Sequence, residues 1–263
     1  MYPVLFRLPL PGGHWLPVPA YGAFLVLGVI LAAFVAGRRT ERLGLDRNAV
    51  LNLGWLSVVC GTLAAHSLHV CLNWRRYGSW GLLAFPRGLV FYGGLAGGIL
   101  AVAWYARRRR VQPADLLDVI APVATLGLAV TRFGCFLNGC CFGRPSNLPW
   151  AVRFPPGSPA QALHSSLGFV GSGAPSLAVH PVQLYEMIAA LPMFALLWAL
   201  YPRRRFAGET TFLFLALYGA WRFAVEFLRA DSGGFARWLS LAILGVSAAV
   251  LLQPKRLQRM PRA

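Results

Sequence analysis

The chain is expected to be an all-α polytopic membrane protein, with seven transmembrane helices in one bundle. Three observations predict this class. Of its 263 residues 57% are hydrophobic and only 13% are charged. Its apolar runs recur at lengths of about 20 residues, enough to cross a bilayer core of roughly 30 Å. Most of its 25 Lys and Arg residues fall between those runs rather than within them. In a soluble chain, a net charge of +17 would suggest nucleic acid. Here the placement at span ends makes the basic residues membrane clamps, and no nucleic-acid partner is expected.

The elements follow in order. The first 18 residues, rich in Pro and Gly, lack a basic stretch ahead of an apolar core, so they are read as an external collar rather than a cleavable signal peptide. Spans are expected at about 19–37, 49–71, 88–106, 116–137, 182–200, 209–228 and 236–252. Residues 138–181 contain GSPAQALHSSLGFVGSGAPS, whose Gly, Ser and Pro predict an external loop or small cap. The whole chain, 1–263, is expected to be a single integral membrane domain.

Charge sets the orientation. Arg38, Arg39, Arg42 and Arg47 follow the first span, Arg107 to Arg110 the third, Arg203 to Arg205 the fifth, and Lys255, Arg256, Arg259 and Arg262 the seventh. These 15 lie on one side, against 8 on the other, which by the positive-inside rule puts the N-terminus outside and the C-terminus in the cytoplasm.

The two remaining basic residues, Arg132 and Arg222, lie inside spans, where each costs roughly 2.5–3.5 kcal/mol unless something polar or anionic meets it. At about 1.5 Å per residue, Tyr92, Arg132 and Arg222 all fall roughly 6–9 Å below the outer boundary. A buried anion site follows. Tyr218, Arg222 and Glu226 are spaced i, i+4 and i+8, so they share one helix face, either turned into that site or paired internally. RGLVFYGGLAGG puts Gly93, Gly94, Gly97 and Gly98 at the top of the third span, for helix packing or for close approach of a phosphate. TRFGCFLNGCCFG joins Arg132 to Asn138 and to Cys135, Cys140 and Cys141, and HPVQLYE brings His180, Gln183, Tyr185 and Glu186 to the same outer zone. The cysteines admit packing, a disulfide or reactive thiols. With His164 or His180 they would form only an untypical metal set, so no metal and no cofactor are expected.

These four segments, RGLVFYGG, TRFGCFLNG, HPVQLYE and YGAWRFAVEFLR, resemble the prolipoprotein diacylglyceryl transferase family in order, topology and spacing, from about Tyr21 to Leu252. The resemblance implies a seven-span enzyme of the bacterial inner membrane. Such an enzyme moves the diacylglyceryl group of phosphatidylglycerol onto the thiol of a lipobox cysteine in a prolipoprotein signal peptide, releasing glycerol phosphate. It implies that Arg132 and Arg222 are essential, and it matches Tyr21, Asn138, His180, Gln183, Tyr185, Glu186, Tyr218 and Glu226 to family positions. The departures are Tyr92 where the family has His, Cys135 where it has Asn, Cys140 where it has Glu, and His66 near a usual Arg. Planar guanidinium forks suit Arg132 and Arg222 to a phosphate whose leaving oxygen gains charge. Tyr92 with Gly93 and Gly94 would position the lipid, while His66 or His69 is a candidate proton acceptor for the attacking thiol. Two other readings stay open: a phospholipid-using enzyme with a different acceptor or a thiol-based activity, and a non-enzymatic lipid carrier or membrane scaffold.

Overall fold

The computed structural model describes residues 4–9, 15–40, 47–78, 90–230 and 234–253. It is mostly helical. The long helices are α1 (Ala20–Thr40), α2 (Arg47–Leu72), α4 (Phe91–Arg109), α5 (Pro113–Asn138), α7 (Val182–Leu200), α8 (Glu209–Glu226) and α9 (Gly234–Leu252), with short helices α3 (Trp74–Tyr77) and α6 (Pro159–Ser166) between them. Among the described residues, five stretches are long and apolar enough to cross a membrane: α1, Leu51–Leu72 of α2, α5, Val182–Arg203 and α9. Helix α4 is diluted by four glycines and closes on Arg107, Arg108 and Arg109, and α8 carries Glu209, Arg222 and Glu226 within 18 residues. The charges that single out α8 as a candidate site also remove it from the purely apolar class.

The all-α expectation needs one correction. Val4–Pro9 (β1) and Trp15–Pro19 (β2) pair as an antiparallel hairpin. Prolines exclude this segment from a helix, and the short extended runs on either side of PGG can pair instead. Its Val4, Leu5, Phe6, Leu8 and Trp15 are exposed.

The chain forms two compact units, Met1–Leu31 with Ala121–Ala263, and Ala32–Ile120. In the second, α2 packs on α4 through small residues. A Cβ on Gly97 would stand 2.5 Å from the Cys60 carbonyl oxygen, and one on Gly93 2.5 Å from that of Ala64, so only glycine allows this approach. Ala49, Leu53, Val102, Tyr105, Ala106 and Leu116 form its core, and the Tyr105 hydroxyl donates to the Ala49 carbonyl at 2.7 Å.

In the first unit, α7 packs on α8 and α8 on α9. Close contact of α5 with α1 depends on Gly28, whose Cβ would meet the Gly127 carbonyl at 2.9 Å, and on Gly134 against Phe24. Residues 139–181 make a cap with a core of Phe142, Phe154, Ala160 and Val179. Ser158 caps α6 by accepting from the Gln161 amide. The Gln161 side chain then donates to the Gly171 and Ser172 carbonyls at 3.3 and 3.0 Å, which ties down the Gly/Ser-rich stretch read as loop or cap.

The outward helix faces are apolar. Leu27, Ile30, Val59, Leu63, Leu100, Ile188, Leu191, Trp238 and Val246 are all exposed, more apolar surface than a water-facing bundle would show. Basic side chains at helix ends lean on rings about one turn earlier, Arg38 over Phe34, Arg108 over Trp104 and Arg204 over Tyr201. Arg42, Arg87, Lys255, Arg256, Arg259 and Arg262 lie outside the described residues.

Candidate active site

The site is built in the first unit by α5, α7 and α8. Pro181 starts α7, and the helical repeat turns Gln183 and Glu186 to one face, both almost fully buried, at 0% and 2% exposure. A buried carboxylate requires cations, and Glu186 has two. Arg132 of α5 brings its Nε to 2.7 Å from Glu186 Oε2, and Arg222 of α8 brings Nη1 to 3.2 Å from Oε1. Arg222 Nη2 also pairs one turn on with Glu226 at 2.8 Å, and Arg229 Nε stands 4.0 Å from the same Glu226 oxygen. The sequence left α8's polar stripe either internal or turned to a site; Arg222 pairs internally with Glu226 and also reaches Glu186 of α7.

The charge of this chain of contacts decides what it can bind. Three guanidiniums face two carboxylates, a surplus of one positive charge. The Arg132 contact is close, yet its Nε is not aligned for a hydrogen bond. The approach is through Nε, and the Nη pair of Arg132 is the edge that would fork onto a phosphate.

The three cysteines converge beside this network. Gly139 at φ +74° and Cys141 at φ +60° turn the chain back at the end of α5. This brings the Sγ atoms of Cys135, Cys140 and Cys141 within 4.8 Å of one another, all as free thiols. Gln183 fixes the turn by donating from Nε2 to the Cys140 carbonyl at 2.6 Å, while its Oε1 is buried without a hydrogen-bond partner. Cys141, in the loop beyond α5, is held below the ordinary thiol range, by hydrogen bonds from Cys135 and Cys140 first and then by Arg132 and Arg229. Tyr21, Tyr218 and Asn138 belong to the same neighbourhood. Tyr21 and Tyr218 interact electrostatically with Arg132, and the Asn138 side chain reaches Cys140.

Other residues named from the sequence stand elsewhere. Tyr185 accepts from Trp150 Nε1 at 2.8 Å and lies 3.3 Å from His180 Nδ1, contacts at the start of α7 apart from the arginine bridge. His66, His69, Gly93 and Gly94 belong to the unit Ala32–Ile120. There α2 occupies the side of Gly93 where a side chain would stand, and the Gly94 amide is already bonded to the Val90 carbonyl. The Tyr92 side chain lies outside the described residues. One contributor was missed: Arg229, counted as an external charge, is buried at 6% exposure and joins Glu226. Its spacing of i+3 from Glu226 and i+7 from Arg222 carries the α8 stripe onward and was the available signal.

The family model described as prolipoprotein diacylglyceryl transferase matches residues 3–253. The chain belongs to that family. Relatives named phosphatidylglycerol–prolipoprotein diacylglyceryl transferase include one from Clostridium tetani, 31% identical over 91% of this chain and 90% of the relative. Those from Geobacter sulfurreducens and Bordetella bronchiseptica are 33% and 36% identical, covering 97% and 95% of this chain and 96% and 94% of their own. In this transferase family member, Arg132 and Arg222 share one carboxylate.

Proposed function

We propose that this chain transfers the diacylglyceryl group of phosphatidylglycerol to the lipobox cysteine of a prolipoprotein and releases glycerol phosphate. The observation that carries the reading is the Arg132–Glu186–Arg222 bridge, which presents two oriented guanidiniums and one surplus positive charge. A phosphodiester head group has one negative charge and matches that surplus. As the acceptor sulfur bonds to the terminal glycerol carbon, the carbon–oxygen bond to phosphate breaks and a second charge grows on the leaving oxygen. Guanidiniums already held in place stabilise that charge without reorganising. Glu186 and Glu226 act as positioning residues for them. Tyr92 holds the head group, Tyr21, Asn138, Gln183 and Tyr218 shape the lipid and peptide site, and His180 and Tyr185 brace the start of α7 beneath the cap. His66 or His69 is the candidate to take the thiol proton.

In this reading the protein is a multi-pass protein of the bacterial inner membrane, one integral domain of seven spans, with α4 and α8 completing the five apolar helices. The N-terminus, the exposed apolar hairpin lying as a collar on the lipid surface and the cap are outside, and the C-terminus is cytoplasmic. The three thiols favour a second reading, in which the same lipid site serves another acceptor or a thiol-based activity. Mass spectrometry of products from phosphatidylglycerol and a lipobox peptide separates the two. A diacylglyceryl thioether on the peptide cysteine is expected, and lipid consumption without it would favour the second.

A further inference from the structure

The cysteine cluster has a geometry that packing does not require. Three thiols on one helix end and its following turn are gathered by two left-handed residues, and at Cys141 that conformation is unfavourable for a side chain. Cys135 and Cys140 are also positions at which this chain departs from the family pattern, an amide and a carboxylate both replaced by thiols that the fold puts together. Among the described residues no His, Asp or Glu joins the group. The imidazoles that could have done so are engaged: His164 Nδ1 accepts from the Leu177 amide at 3.2 Å, and His180 meets Tyr185.

Three thiolate donors with no fourth from the protein match a catalytic rather than a structural thiophilic metal site, because structural sites close the tetrahedron with protein ligands. At a metal–sulfur distance of about 2.3 Å the sulfurs of a tetrahedral site stand about 3.8 Å apart, so donors already within 4.8 Å need only small shifts to close on the ion. Binding supplies the energy to deprotonate the thiols, and a divalent ion neutralises two of the three charges. Arg132 and Arg229, which interact electrostatically with Cys141, stand near the third.

We infer that Cys135, Cys140 and Cys141 bind a zinc-class divalent cation whose open fourth position takes the thiol of the acceptor cysteine. The inference rests on the transfer reading and deepens it. Tyr92 stands where the family has His, and a phenol is a weak base near neutral pH. A metal takes the place of any such base, His66 or His69 included. The acceptor thiol releases its proton to solvent on coordination, and its sulfur stays nucleophilic as a metal-bound thiolate. That sulfur donates an electron pair to the glycerol carbon, and the electron pair of the breaking carbon–oxygen bond leaves on the phosphate held by Arg132 and Arg222. The product thioether is neutral, a weaker ligand, and departs. No electrons are gained or lost.

The test uses the full chain purified in detergent under reducing conditions, loaded with zinc or with cobalt(II) as a spectroscopic substitute. We expect about one metal per chain with a cobalt–thiolate charge-transfer band, and loss of both in Cys140→Ser and in Cys141→Ser. Cys71→Ser, outside the cluster, should retain both. Adding a lipobox peptide should change the cobalt ligand-field spectrum, and its serine analogue should not. Metal content no higher than in a Cys135, Cys140 and Cys141 to Ser triple variant would overturn the site. So would a mass two hydrogens short, mapping to a disulfide within the trio in protein isolated without reductant. Metal that binds but ignores the peptide would overturn the open-position role. Undiminished thioether formation by metal-stripped protein would sink this inference while leaving the transfer reading standing. A cobalt spectrum that responds to peptide without any thioether product would do the reverse.

Discussion

Glu186 is the residue on which the site's geometry depends. It is buried between two guanidiniums, and its removal leaves Arg132 without its carboxylate and Arg222 with Glu226 alone. Glu186→Ala is therefore expected to cost about 3–5 kcal/mol of stability, read as a lowered unfolding temperature in detergent, with Glu186→Gln less damaging because it keeps a hydrogen-bonding oxygen. An unchanged transition in the alanine variant would show that the bridge carries no structural load. Arg132→Lys and Arg222→Lys keep the charge but lose the fork, so each should fall about a hundredfold or more in turnover, close to the alanine variants. Near-full activity in both lysine variants would remove the phosphate role. Tyr92→Phe should weaken turnover by about tenfold to a hundredfold if the hydroxyl only holds the head group, and Tyr92→His should be tolerated. A wild-type rate in the phenylalanine variant would leave the ring as packing. Arg132 and Arg222 were legible in the sequence because a charge inside an apolar run stands out. Arg229 was not, because at a span end a buried arginine and a membrane clamp look alike, and only the Glu226 contact separates them.

At the scale of elements, the long helices follow the predicted spans within a few residues, since lipid-crossing length and apolarity are composition signals that the chain shows directly. Two features were not legible for stated reasons. The hairpin of β1 and β2 depends on pairing between short Pro-flanked strands rather than on periodicity. The Gly93 and Gly97 motif fits both helix packing and a ligand, and the α2 backbone decides for packing at those two positions. Loop and small cap could not be told apart for residues 139–181 because their order comes from buried polar contacts. One of these makes the cap sensitive to acid. His164 is 3% exposed, and its Nδ1 must be unprotonated to accept from the Leu177 amide. Burial holds its pKa below the ordinary value near 6.5. Between the lowered folded value and 6.5 the unfolded chain binds more protons, so the stability from the neutral ring is complete above about pH 6.5 and is lost as pH falls toward the folded value. Limited proteolysis within residues 139–181 should accelerate as pH falls from about 7 to 5, and His164→Asn should reduce that dependence. A pH-independent cleavage rate would remove His164 from the account.

For the molecule as a whole, orientation decides whether the arginine network and the cap face the compartment where prolipoprotein signal peptides present their cysteine. The charge counts, 15 against 8, favour a cytoplasmic C-terminus. The structure adds a physical reason for treating several of those basic residues as interfacial: Arg38, Arg108 and Arg204, all assigned to one side, each rest on an aromatic ring about one turn deeper or at the helix end, the posture of a side chain whose stem lies in lipid and whose head reaches water. The opposing residues are less able to act as clamps. Arg229 is buried in the site and Arg144 donates from Nε to the Arg229 carbonyl at 3.3 Å, so both are engaged in the fold. A reporter fused after Ala263 should be cytoplasmic, and a tag inserted near Gly173, where the chain is exposed and an added side chain meets nothing, should be accessible from outside in intact cells. Opposite labelling at both sites would put Arg132, Arg222 and the cysteine cluster on the cytoplasmic half of the membrane. That outcome would overturn the placement of the acceptor site even if the arginine variants behaved as expected, because the same ion network would then serve a substrate arriving from the other side.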